Sequence, residues 1–145
     1  RDGHWEAYCS GNNVPRFARV LHEADPVETA LPLDSPEFTA KDVFDHAGRD
    51  AFADRVVERV AELNVLGVAN LVHSYAPQVV SVGGAVALNN PDHVVDAVRT
   101  RLDDAVLVDV PEMRVSDLGE EAVLKGALAS ALTGGTGDPT AASGR

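Results

Sequence analysis

The sequence predicts an α/β layered fold, and three observations carry that expectation. From Asp50 to about Tyr75, apolar residues recur near a 3.6-residue period at Phe52, Val56, Val60, Leu63, Gly67, Asn70/Leu71 and Ser74. That is the mark of a long helix with one buried face. A short apolar run, Val79–Val82, then leads into Gly83-Gly84, as a strand does before a sharp turn. Helix-like and strand-like segments alternate again before the end, giving the order helices, strand, helix, strand, helix.

Each element has its own signal. Residues from Trp5 to about Glu23 read as helical with a break near "GNNVP", where Asn13 can cap and Pro15 suits a first turn. Ala24 to Thr39 is a loop broken at Pro26, Pro32 and Pro36. "TAKDVFDHAG" predicts a short helix capped by Thr39 and ended by Gly48. The far end of the long helix, "LGVANLV", is apolar nearly all round, so burial on every side is expected there. Gly67 and Ala69 would leave room for a neighbouring backbone. "NNPDHVVDAVRTRL" predicts a helix with Pro91 near its start. "AVLVDVPEMRVS" supplies one or two strands divided by Pro111, and "DLGEEAVLKGALASAL" closes as a small-residue helix.

Composition narrows the function. The chain has 145 residues and a net charge of −11, from 14 Asp and 9 Glu against 2 Lys and 10 Arg. Such a surface repels nucleic-acid phosphates, whose binding depends on Lys and Arg. Spread evenly rather than in one block, the acid suits a protein kept soluble at high salt, which predicts a halophilic source; an ordinary acidic cytosolic protein is the plainer reading. The single Cys cannot close an internal disulfide and fits a reducing, cytoplasmic interior. No apolar run approaches the roughly 20 residues of a membrane span.

Two stretches carry chemistry. In "VVSVGGAV" a strand runs into a Gly-Gly turn that lets a ligand approach the backbone, with a helix start nearby to face a nucleotide. A bare turn is the plainer reading of the same residues. It is neither a P-loop nor a GxGxxG fingerprint. In the opening "RDGHWEAYCSG", Glu6 lies near a helix start, where the helix dipole stabilises a carboxylate. Alternatively it accepts hydrogen bonds from sugar hydroxyls, which a carboxylate can take two at a time. His4 is a candidate hydroxyl donor or metal ligand, without a second ligand at the spacing of a site. His22, His46, His73 and His93 read as structural, and Asp103-Asp104 and Glu120-Glu121 as solvated pairs.

"GHWEAYCSG", then "NLVHSYAPQVVSVGGAV", then "LGEEAVLKGALASAL", in that order, resemble the C-terminal half of ROK proteins, a family of sugar kinases and related sugar-responsive repressors. The family pattern at the first motif is Cys-x-Cys-Gly-x-x-Gly-Cys-x-Glu-Ala. Gly3 falls on its second Gly, Glu6-Ala7 on its end, and His4 on its last zinc Cys. The chain is therefore expected to start inside the family's zinc and sugar loop. The resemblance implies the C-terminal lobe of an actin-like ATPase (ribonuclease H-like) fold over residues 1–132, incomplete without the N-terminal lobe. Residues 133–145, "TGGTGDPTAASGR", are expected to form a disordered tail.

The resemblance also implies an ATP-dependent hexose kinase, glucokinase-like, using Mg²⁺ and acting as a homodimer on glucose or another hexose. It places Glu6 on the sugar, with His4 beside it, and Gly83, Gly84 and Ala85 against adenosine. Ala85 replaces a family Gly and narrows that space. Zinc is retained with His4 among mixed ligands, or lost; Cys9 is a small buried hydrophobe and no substitute ligand. The general-base Asp and the phosphate-binding turn are expected upstream of Arg1, so this segment alone should be inactive. The alternative is a repressor carrying a helix-turn-helix upstream.

Overall fold

The computed structural model describes residues 3–135. The expected tail therefore lies mostly outside the described residues. Thr133, its first residue, is buried, at 7% exposure, in the turn that ends the last helix.

Four helices come first: α1 (Glu6–Cys9), α2 (Val14–Ala24), α3 (Ala40–His46) and α4 (Ala51–Tyr75). Strand β1 (Val79–Val82) is followed by a short α5 (Ala85–Asn89). A π-helical turn (Asp92–Asp96) continues into α6 (Ala97–Ala105); then come β2 (Glu112–Val115), a 3₁₀ turn (Gly119–Glu121) and α7 (Ala122–Leu132). β1 and β2 pair in parallel, Val79 opposite Glu112 through Val82 opposite Val115. A parallel pair requires a crossover, and the helical segment 85–105 supplies it.

α4 is the common member of two cores. Its first half, with Phe52, Val56 and Val60, packs against α2, α3 and the buried Leu31 and Phe38. Its second half, with Val65, Val68 and Val72, packs against Val95, Val98 and Leu102 and the sheet residue Met113. Asp50 starts it: its carboxylate accepts from the amides of Phe52 and Ala53, both at 2.9 Å, and from Ala30 and Thr29 of the long loop. Arg19 holds the rest of that loop by donating to the carbonyls of Leu33 and Ser35, at 2.7 and 2.9 Å. Helix α3 opens with the capping box that Thr39 predicts, completed by Asp42.

Several expectations are corrected. Asn13 precedes α2 but its side chain does not cap it. Its amide donates instead to the Glu6 carbonyl at 3.2 Å and the Ser10 hydroxyl at 2.8 Å, tying α1 to α2. The "LGVANLV" segment is not buried all round, because Leu66 and Leu71 face solvent. The buried line of α4 runs through Asn64, Val65, Val68 and Val72 rather than Leu63, Gly67 and Asn70; the segment from α5 to α6 and the sheet cover one side of this half of the helix, and Trp5 lies at Asn64 and Gly67. The space at Gly67 takes the Trp5 ring and not a backbone. β1 is no buried strand, since Val79 and Ser81 are exposed. Val106–Val110 forms no strand, and Glu112–Val115 alone does. Finally, α5 intervenes where a bare turn would have led straight to Pro91.

The four histidines read as structural are so placed. The His22 ring donates to the Val27 carbonyl at 2.9 Å, and that of His46 to Asp42 at 2.7 Å. His73 Nε2 accepts from the Leu107 amide at 3.1 Å, and His93 lies over Phe44.

Candidate active site

Local sequence explains how the two chemistry-bearing stretches meet. After α1, the turn through Gly11 approaches α5 so closely that a Cβ at Gly11 would lie 3.1 Å from Val86 Cγ2. Trp5, immediately before α1, reaches across to α4, and its indole Nε1 donates to Asn64 Oδ1 at 2.8 Å. The sheet lies at the far end of α4 and delivers Gly83 beside these groups. The result is a cleft of about 480 Å³ lined by Trp5 and Glu6 together with Gly83, Gly84 and Ala85. That volume lies in the range of small-molecule sites.

The glycines are held differently. Gly84 has φ 93° and ψ 158°, a conformation open in practice to glycine alone. Gly83 has no positive φ, and a Cβ there would meet only Ser116 Cβ at 3.6 Å, an ordinary contact. The ladder runs up to it, since the Ser116 amide donates to the Val82 carbonyl at 2.8 Å. Ala85 is exposed and begins α5, which at five residues is too short to offer much of a dipole.

Glu6 is exposed, and its carboxylate makes no hydrogen bond among the described residues. Among the described residues it is the one carboxylate lining this cleft, and it is open to a ligand. Its main chain is fixed by the Asn13 bond and by the α1 turn, where the Ser10 amide donates to the Glu6 carbonyl at 3.3 Å. The same side chain also lines a second recess with His4, Tyr8 and Arg16, on the other side of α1. His4 is thus beside Glu6 but outside the cleft that holds the Gly-Gly turn.

The residues present do not fit a zinc site by themselves. Among the described residues, no three His, Cys, Asp or Glu side chains come together as a ligand set. Cys9 is not a ligand in waiting. Burial pushes its thiol up to about 11, with a smaller opposing effect from Trp5, and its Sγ is directed at the Val60 carbonyl, 3.7 Å away. A thiol so disfavoured as thiolate binds metal poorly. The half-buried Cys9 packs on the first core, as a small hydrophobe should.

Sequence reasoning missed Asn64 and Gly11. Asn64 carried a signal: an amide in register with the valines of an otherwise apolar helix face requires a partner. Gly11 carried none beyond its break in helical pattern, because its role depends on Val86, far along the chain.

Comparison with known proteins gives the geometry a context. The chain is 32% identical over 131 residues to a glucokinase from Pyrobaculum calidifontis, covering 89% of this chain and 40% of that one. Its fold superposes with TM-score 0.66 and 30% identity on a ROK hexokinase from Thermus thermophilus, covering 86% of this chain and 39% of the other. It superposes with TM-score 0.72 and 24% identity on a ROK family glucokinase from Streptomyces griseus in complex with glucose and AMPPNP, covering 88% and 44%. The chain therefore spans about two fifths of the length of these relatives. The family model described as "ROK family" matches residues 1–133, essentially the whole described region. A family match over this span, with the fold superposing on solved ROK structures, shows that the chain belongs to the ROK family.

Proposed function

We propose that the complete protein is an ATP-dependent hexose kinase, with glucose its first candidate substrate. One observation carries this reading: Glu6 and the Gly83-Gly84 turn, far apart in sequence, line a single cleft. Phosphoryl transfer is mostly positioning and charge stabilisation, so a site that brings sugar and nucleotide together does much of the work.

In this reading Glu6 accepts hydrogen bonds from two sugar hydroxyls and orients the ring, with His4 at its flank. Gly83, Gly84 and Ala85 form the surface on which adenosine rests, with no side chain longer than a methyl between ligand and backbone. Mg²⁺ travels with the phosphates and supplies neutralisation of their charge. Among the described residues Glu6 is the sole carboxylate lining the cleft, and in this reading the rest of the protein supplies the metal's partners and the general base. No step here runs through zinc, for which no ligand set comes together among the described residues.

The reading extends to a cytoplasmic homodimer in a salt-rich cell that does not bind nucleic acid through this segment. Its support is the single Cys, the net charge of −11 and the family's habit of pairing. No described helix is long and apolar enough to cross a membrane.

The test follows ADP release by the complete protein with ATP, Mg²⁺ and a panel of hexoses in molar salt. Sugar-dependent release is expected. In Glu6→Gln, loss of charge-assisted hydrogen bonds worth about 1.5–3 kcal/mol should lower kcat/KM for sugar by about 10- to 100-fold. Turnover unchanged in Glu6→Gln would remove Glu6 from the site, and sugar binding without turnover would remove the kinase.

A further inference from the structure

We propose that Asn64 and Gly67 of α4 form a latch that holds the Trp5 indole, and through it Glu6, at the wall of the cleft. They are positioning residues for the sugar, and the inference rests on the reading that Glu6 contacts it.

Helix α1 has four residues, none of them buried, and no side-chain cap. A helix this short has no stability of its own, so something outside it must set where Glu6 points. Trp5 is the residue before Glu6, and its side chain reaches α4 with a specific polar bond, Nε1 to Asn64 Oδ1 at 2.8 Å. Asn64 is buried, at 7% exposure, on a face otherwise made of valine and alanine. An amide there costs stability unless it is hydrogen-bonded, and the indole N–H satisfies it.

Gly67 lies three residues on, the same face one turn later. A Cβ on it would stand 2.4, 2.5 and 2.7 Å from three atoms of the indole ring. Those atoms belong to a rigid bicycle, so the ring as a whole would have to leave. Glycine is otherwise unfavourable in the middle of a long helix, where alanine is the better residue. A hollow for Trp5 is what the glycine provides. Cys9 Sγ, directed at the Val60 carbonyl one turn earlier on α4, marks a second and weaker attachment of α1 to the same helix. The indole is 39% exposed and lines the cleft beside Glu6, so any shift of the ring is a shift of the wall.

The test uses the complete protein and measures KM for sugar, KM for ATP, kcat and Tm in Gly67→Ala, Asn64→Leu, Trp5→Phe and the double variant Trp5→Phe/Asn64→Leu, beside Glu6→Gln. Gly67 touches no ligand, and helix propensity alone would make alanine neutral or better there. The latch predicts instead a sugar KM raised about tenfold or more, since a displacement of ~1 Å in a positioned group can cost up to ~100-fold. ATP KM should stay within about twofold, because the Gly83-Gly84 wall hangs from the sheet. Asn64→Leu leaves the indole N–H without its partner and Trp5→Phe leaves the buried Asn64 amide without its own, lowering Tm as well as raising sugar KM. The double variant removes both polar groups. It should regain much of the lost Tm while its sugar KM stays high, a split that a merely structural pair would not show.

Gly67→Ala with wild-type sugar KM overturns the latch, as does an equal rise in the KM of both substrates. A double variant that regains sugar KM along with Tm overturns it too. Trp5→Phe keeps a ring in the hollow and carries the test where Gly67→Ala fails to fold. Should Glu6→Gln leave sugar KM unchanged, the sugar-contact reading fails first and the latch falls with it. Should Glu6→Gln raise it and Gly67→Ala not, the latch alone is wrong.

Discussion

Gly83 and Gly84 stand side by side in the same turn, yet the fold asks different things of them. Gly84 supplies a backbone conformation that a Cβ would strain. Gly84→Ala should therefore lose about 1–3 kcal/mol of stability. Gly83 meets no such demand, with room for a methyl against Ser116. Gly83→Ala should fold within ~1 kcal/mol of wild type, and any loss should fall on nucleotide affinity. Denaturant midpoints and ATP KM for the two variants check this. A Gly83→Ala protein that binds ATP normally would take that residue off the adenosine wall.

At the scale of elements, α4 depends on how it starts. Burial works against ionisation of Asp50, but hydrogen bonds from Ala30, Ala53, Thr29 and Phe52 outweigh it and hold the pKa below the ordinary carboxylate value. The unfolded chain titrates near ~3.9. A pKa lower in the folded state means stability that is present above about pH 4 and lost as pH falls through the folded value. Asp50→Asn keeps a capping oxygen and removes the charge. Its urea midpoint should trail wild type at pH 7, and the gap should narrow as pH is lowered through the carboxylate range. A gap independent of pH would mean that the charge of Asp50 contributes nothing.

The legibility of these elements in sequence follows from the range of the forces that make them. Thr39 with Asp42, Asp50 before α4, and Pro77 after it are local signals, and the helices they bound fall where the residues predict. β1 matches the run Val79–Val82 because an apolar tetrapeptide between Pro77 and two glycines has few other options. What sequence could not reveal is which face of α4 turns inward past Leu63, since that depends on α6 lying on one side only. For the same reason Gly67 was readable as a site of close approach but not as the seat of Trp5. Of the site, Glu6 and the glycines came from a motif; their sharing one cleft required the third dimension.

For the whole molecule, charge governs the response to salt. Six ion pairs link described residues, all between exposed or partly exposed side chains. Exposed pairs of this kind add little stability and weaken with salt. Against them stands the mutual repulsion behind a net charge of −11, which salt also screens, with the Debye length falling from about 10 Å at 0.1 M to about 3 Å at 1 M. Repulsion spread over the whole surface outweighs a few local pairs. Thermal unfolding in 0.1 M and then 1 M KCl should therefore show Tm rising by about 3–5 °C, the equivalent of ~1 kcal/mol for a domain of this size. A fall in Tm would show that the pairs prevail and would count against a salt-rich origin.

The route by which Trp5 reaches Asn64 bears on the order of folding. Those two residues are 59 apart in sequence, and the strand pair that presents Gly83 joins Val79 to Glu112. Helices form from neighbours, on the microsecond scale, whereas contacts between distant residues wait for the intervening chain to close. Both walls of the cleft hang on such late contacts. A nascent molecule would thus pass through a helical, ligand-blind stage, and its binding site would be among the last features to mature.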